Sequence, residues 1–249
     1  MSARVRSLQD LWKLAPPEAA ARRPETLSHL PEAARRYLEH AIAPGVALAT
    51  AVRLTMHGEI KLRRWLPFQA EQVIHAKRGM IWKARVGTGL GQFRGTDRVV
   101  DGRGAMSWRT FGVLPVVRGS GPDISRAGAG RLAAELMWLP SAFLLPDVFW
   151  SGFHPSRVQA SLNVQGHPVS LNLSVGERGE LSSVSLARWG NPDGGRFRPV
   201  EFGGFSEGES TFGGVTIPSR LRVGWHFGTD RFYREGEFFR VTIDEAVYR

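Results

Sequence analysis

The spacing of apolar positions changes period along this chain, and each change marks an element. It begins helical. Ser7, followed three residues later by Asp10, loosely matches a capping box. Leu8, Leu11, Trp12 and Ala15 then share one face before Pro16-Pro17 ends the segment. Ala19 to Ser28 reads as an Ala/Arg/Pro-rich linker, which divides the chain into an N-terminal helix and linker, 1–29, and a single domain, 30–249. A second helix is expected from Pro31 to Ala43. Its apolar stripe is Leu30, Ala34, Leu38, Ala41 and Ile42, and Pro44-Gly45 stops it.

After Gly45 the period falls to two. Val46, Leu48, Val52, Leu54, Met56, Ile60 and Leu62 hold the even positions, with polar residues between them and a bulge or turn expected at Gly58. Met80, Trp82, Ala84 and Val86 repeat the pattern, and Asp101-Gly102 reads as a hairpin turn. Alternation returns at Val158–Val164, Val169–Val175, Val184–Leu186, Leu221–Phe227 and Phe239–Ile243, with a turn over Gly166-His167-Pro168. Nine to eleven strands are expected. Their short connections leave no room for helical crossovers, so the sheet should be antiparallel. Asp123 to Leu139 alone returns to helical spacing, with Asp123 or Ser125 as cap and Pro140 as stop. Gly128 and Gly130 inside it cost about 1 kcal/mol each relative to Ala, which implies close approach to another backbone. The expected fold is therefore α+β. It consists of a large curved antiparallel β-sheet, an open half-barrel, with a central helix 123–139 on its concave face and two N-terminal helices. That arrangement leaves an apolar cavity between helix and sheet.

Composition narrows the chemistry. The 249 residues contain no cysteine, which excludes disulfides, thiolate metal sites and cysteine nucleophiles. The net charge is +10, carried by 29 Arg and only 4 Lys against 23 acidic residues. A solvated basic surface accounts for this excess; binding to nucleic acid or to an anionic membrane is the alternative. There is no apolar run long enough to span a membrane as a helix. Met1 to Leu14 carries Arg4, Arg6, Asp10 and Lys13, so it does not read as a secretory signal, and a cytoplasmic location is the expectation.

Two motif matches fail on context. Gly204-Phe205-Ser206-Glu207-Gly208 has the nucleophile-elbow pattern, but no helix follows it, and no Asp lies between Ser206 and His226, the only downstream histidine. A glycine-rich turn between strands is the expectation there. Gly128-Ala129-Gly130-Arg131-Leu132-Ala133 resembles a dinucleotide fingerprint without the strand that must precede it. The seven histidines read as isolated surface residues with no metal-ligand spacing, so neither a metal nor a cofactor is expected.

Glu135 stands out. It shares a helical face with Ile124, Gly128, Arg131, Trp138 and Leu139, which places a carboxylate on the inner side. A buried charge requires a partner, and Arg131 or a strand arginine could supply it. Glu135, Arg131 and Trp138 on the helix, with Trp82 and Trp108 from strands, are the candidate residues for an apolar or lipid-like ligand. An enzyme using Glu135 as acid or base is the alternative. Basic residues near Trp65 fit the polar face of a sheet as well as nucleic-acid stacking, so nucleic acid is not the expected partner.

Several stretches carry a family resemblance. They are Pro67-Phe68-Gln69-Ala70, Gly79 to Ala84, Gly95-Thr96-Asp97, Asp101 to Met106, Gly130 to Pro140, Thr211 to Pro218 and Gly236 to Arg240. Together they resemble an uncharacterised bacterial family across most of the chain from about Leu30. More loosely, the strand order and the late Ile217-Pro218 followed by a strand look like the lipoprotein-carrier (LolA/LolB-like) curved sheet with a helical plug. That resemblance implies binding of acyl chains. No signal peptide or lipobox cysteine is read in this sequence, and on that reading the chain is expected to differ from those carriers.

Overall fold

A computed structural model describes residues 5–16, 27–110 and 114–249. The linker expected at Ala19 to Ser28 falls mostly outside the described residues. Two helices come first, α1 (Leu8–Lys13) and α2 (Glu32–Ala41). Six strands follow: β1 (Ala51–Lys61), β2 (Trp65–His75), β3 (Gly79–Val86), β4 (Phe93–Val100), β5 (Arg103–Thr110) and β6 (Leu114–Ser120). Helix α3 (Pro122–Glu135) is extended by 3₁₀ turns at Leu136–Trp138 and Pro140–Leu144. Seven more strands complete the chain: β7 (Phe149–His154), β8 (Arg157–Val164), β9 (His167–Val175), β10 (Leu181–Gly190), β11 (Arg198–Phe212), β12 (Val215–Trp225) and β13 (Glu237–Tyr248).

The strands form one antiparallel sheet in the order β6-β5-β4-β3-β2-β1-β13-β12-β11-β10-β9-β8-β7. Every neighbour but β1–β13 is also adjacent in sequence, so each half is a meander and the C-terminal strand joins them. The sheet is curved and unclosed. Its curvature is read from α3, which packs on both β5 and β10, strands from opposite arms. At one end the arms also touch through their turns. The Gly102 backbone N–H donates to Gln165 Oε1 at 2.6 Å, and Gln165 Nε2 donates to the Lys77 carbonyl at 3.2 Å.

Alternation fixes which face is buried. Val52, Leu54, Met56, Phe68, Ala70, Ile74, Met80, Trp82 and Ala84 turn inward with Val158, Ala160, Leu171 and Leu173. The concave core also takes up Ala34, Tyr37, Leu38 and Ala41 from α2 and Leu132 and Ala133 from α3. Helix α1 lies on the other face, where Leu11 packs with Val73, Ile81 and Val100. Its capping box forms: Asp10 N–H donates to Ser7 Oγ at 3.1 Å, and Ser7 N–H donates to Asp10 Oδ2 at 3.0 Å.

The structure departs from the sequence expectations in several places. Among the described residues thirteen strands stand where nine to eleven were expected. The unforeseen edge strands β6 and β7 have one neighbour each, and β6 is largely exposed, so neither needs a clean alternation. Gly58 makes no turn. It pairs with Phe68 and Val241 inside β1, and the register shift falls at Thr55/Met56 instead. The turn near Gly166 is centred on Gln165-Gly166, both with positive φ, and His167 and Pro168 already belong to β9. Gly204 to Gly208 is no turn either; it lies within β11 opposite β12, and the turn comes at Gly213-Gly214. The N-cap of α3 is Gly121. Asp123 instead accepts from Trp189 Nε1 at 2.8 Å, and Ser125 Oγ accepts from the Gly104 N–H at 2.9 Å. His75 is buried rather than superficial, and burial, reinforced by Arg78, lowers its pKa.

Candidate functional site

The regular helix α3 ends at Glu135, directly over the concave face, and the two arms of the sheet rise on either side. Between them lies a cavity of about 470 Å³. Its wall takes Trp82, Val86, Asp97 and Trp108 from one arm, Val184, Arg188, Phe202, Val223 and Trp225 from the other, and Phe239 from the middle. Helix α3 contributes Arg131, Ala134 and Glu135, and the turn after it Met137 and Trp138. All five residues singled out in the sequence, Glu135, Arg131, Trp138, Trp82 and Trp108, line this one space. Leu62, Val116 and Val117 also border it and are exposed, which gives it an apolar rim.

The polar groups of the wall form a connected network. Arg131 Nε donates to Glu135 Oε1 at 2.7 Å, one helical turn on, and Arg131 Nη1 donates to Asp97 Oδ2 at 3.0 Å. Gln72 Nε2 donates to Glu135 Oε2 at 2.6 Å, and Trp108 Nε1 donates to Asp97 Oδ1 at 2.8 Å. Both carboxylates are therefore satisfied on both oxygens. Burial works against the Arg131 cation, but Glu135 and Asp97 outweigh it and hold its pKa above the ordinary guanidinium value. The Arg131 guanidinium also lies over the Trp82 ring, 4.9 Å from its centroid.

The tryptophans have different roles. Trp138 is anchored at its polar end, donating from Nε1 to the Pro218 carbonyl at 3.0 Å, while its own carbonyl accepts from Tyr248 Oη at 3.1 Å. Trp82 and Trp108 are tilted against each other at 5.7 Å, and Phe239 meets Trp82 edge-on at 6.2 Å. The indole nitrogen of Trp82 is buried with no acceptor among the described residues.

Arg188 is the functional candidate that sequence reasoning missed. It lies on β10, and the parity of Val184 and Leu186 extends to it, so an arginine occupies an inward position. Its Nε donates to the Ala127 carbonyl at 3.2 Å, and its guanidinium lies over Phe202 and Trp225, 4.5 and 5.0 Å from their centroids. No carboxylate among the described residues forms an ion pair with it. Burial, reinforced by the neighbouring Arg131, pulls its pKa down to about 9. Gly130 is explained here: a β-carbon would lie 3.0 Å from Arg188 Cγ. The helix glycines thus clear side chains, Val99 at Gly128 and Arg188 at Gly130, rather than another backbone. The close backbone approach is at Gly104 on β5, where a β-carbon would lie 2.6 Å from the Ile124 carbonyl oxygen.

Elsewhere, Ser206 sits inside β11 with its hydroxyl directed to the Gly208 carbonyl at 3.3 Å. Among the described residues no cluster of His, Asp or Glu could hold a metal ion, and no helix is long and apolar enough to cross a membrane. Arg85, Arg94 and Arg109 stand directly opposite one another on β3, β4 and β5, without an ion pair among the described residues. Like charges so placed cost stability.

No curated protein matches this chain. The solved structures that match it include two of low sequence identity. One is a putative outer membrane lipoprotein-sorting protein domain from Vibrio parahaemolyticus, at 8% identity and a TM-score of 0.42 over 80% of this chain and 85% of that one. The other is a LolA superfamily protein from Nitrosomonas europaea, at 10% identity and a TM-score of 0.38 over 87% of this chain and 92% of that one. Residues 20–235 match a defined sequence family, and the chain belongs to that family of unknown function, DUF6544.

Proposed function

We propose that this protein binds an apolar or lipid-like ligand in the cavity between α3 and the sheet, without catalysing a reaction on it. The observation that carries this reading is the wall itself. A space of about 470 Å³ is within the range of small-molecule sites. It is bordered by aromatic and aliphatic side chains, with a few polar groups fixed in one network. Four tryptophans, Trp82, Trp108, Trp138 and Trp225, line it, so an occupant must touch fluorophores. Glu135, the acid–base candidate, has both carboxylate oxygens engaged, by Arg131 and Gln72, which favours a structural role in the wall.

The test is quenching of tryptophan fluorescence by an acyl chain brominated at its far end, the methyl ester of ω-bromoundecanoic acid. Detergent-stripped protein should show saturable quenching. Ala134→Phe, which projects a ring into the cavity, should abolish it while leaving the far-ultraviolet circular dichroism unchanged. No quenching of the parent protein by this ester or by the free acid would refute the proposal.

A further inference from the structure

Building on the cavity reading, we infer that the occupant is an amphiphile with a single carboxylate head, which Arg188 receives while its hydrocarbon tail lies among the aromatic rings. The cavity wall holds four charged side chains, and their pairing is unequal. Arg131 bridges Asp97 and Glu135, two carboxylates sharing one guanidinium. Arg188 has no such partner among the described residues. Only its Nε is committed, to the Ala127 carbonyl, and neither terminal nitrogen has an acceptor among the described residues. Those two nitrogens form the planar fork that matches a carboxylate in a bidentate pair.

The surroundings shape the choice of anion. The Arg188 guanidinium carbon lies over both the Phe202 and the Trp225 rings, which meet edge to face, so the cation is seated before a ligand arrives. Gly130 leaves room for the arginine stem beneath α3, in a helix where any other residue type except proline would favour the helix more. A monoanion neutralises one unpaired guanidinium. A dianion would bring surplus negative charge beside Asp97 and Glu135, which belong to the same wall. A neutral head would leave the half-buried cation without a counter-charge.

The experiment compares ω-bromoundecanoic acid with its methyl ester on detergent-stripped protein at neutral pH, read by tryptophan quenching. The parent protein should bind the acid at least about tenfold more tightly than the ester. Arg188→Met should remove that preference, so that acid and ester bind it within about twofold of each other. Equal binding of acid and ester by the parent overturns the head-group assignment and leaves the cavity reading intact. Quenching by neither probe removes both. If Arg188→Met does not fold, the parent comparison still decides the matter. Tighter binding of a bromodecyl phosphate than of the acid would also overturn the carboxylate assignment.

Discussion

Replacing Arg188 by methionine should make the ligand-free protein more stable. The side chain is a cation drawn into an apolar wall, and its pKa falls from 12.5 to about 9. At about 1.4 kcal/mol per unit, that shift corresponds to roughly 5 kcal/mol against the charged form. The group is only half-buried by surface area, and solvent reaching the cavity screens part of this, so about half is a fairer figure. Methionine forfeits the hydrogen bond to the Ala127 carbonyl, worth about 1 kcal/mol. It also gives up part of the contact with Phe202 and Trp225, but its unbranched thioether still packs on those rings. The balance is a gain of about 1 kcal/mol, or roughly 2–4 °C in Tm for a chain of this length. Urea unfolding of detergent-stripped protein at pH 7 measures it, and stripping is essential because a bound ligand would stabilise the parent. The pH dependence has a definite sign. Below pH 9 the arginine is charged in both native and unfolded states, so its full cost is present. As pH rises through about 9 the native state sheds the proton while the unfolded state keeps it, and the cost fades. The advantage of Arg188→Met should therefore narrow as the pH is raised from 9 to 11. A variant less stable than the parent by more than 1 kcal/mol at pH 7 would refute the reasoning, because it would mean that the cation is already compensated within the fold.

Two further substitutions probe the seat of the helix and the polar network. Gly104→Ala places a methyl group 2.6 Å from the Ile124 carbonyl oxygen and from Ser125 Cα, both backbone atoms that cannot rotate away, and it strains the hydrogen bond to Ser125 Oγ. A loss of about 2–4 kcal/mol is expected in urea unfolding, whereas Gly91→Ala, with nothing within 4 Å, should change stability by less than about 0.5 kcal/mol. Glu135→Leu strips Arg131 of one carboxylate and Gln72 of its oxygen acceptor, leaving it only the weak Met80 sulfur, which should cost about 3 kcal/mol. Glu135→Gln, which retains a carbonyl acceptor, should cost clearly less; equal stability of both variants with the parent would show that the network is not a structural pair.

The sheet was readable where burial is one-sided. Val158 to Val164 and Val169 to Val175 alternate because one face meets the core and the other meets water, and both became strands. Legibility failed where that asymmetry disappears. Strand β6 is exposed on nearly every residue, so no period marks it. The middle of β11 is glycine-rich for space rather than for turning: a β-carbon on Gly204 would lie 3.0 Å from the Val223 side chain. Helix α3 showed its period, but its cap did not follow from composition. Asp123 and Ser125, both good capping residues, were drawn off to Trp189 and Gly104 by tertiary contacts that one sequence does not reveal.

The candidate site was half legible for a related reason. A strand with period two assigns a face to every residue, polar ones included. Gln72 keeps step with Phe68, Ala70 and Ile74, Asp97 with Val99, and Arg188 with Val184 and Leu186. Each is a polar residue at an inward position, and that violation of the pattern is the signal by which a sequence can disclose a cavity wall. Parity cannot say which of these residues meet. Asp97 and Arg188 belong to opposite arms of the sheet, and only its curvature beneath α3 brings them to one space. Nor can parity show that, among the described residues, Arg131 is bound to two carboxylates while Arg188 has none, and it is this inequality, set by tertiary distance, that gives the proposed apolar cavity a preferred charge.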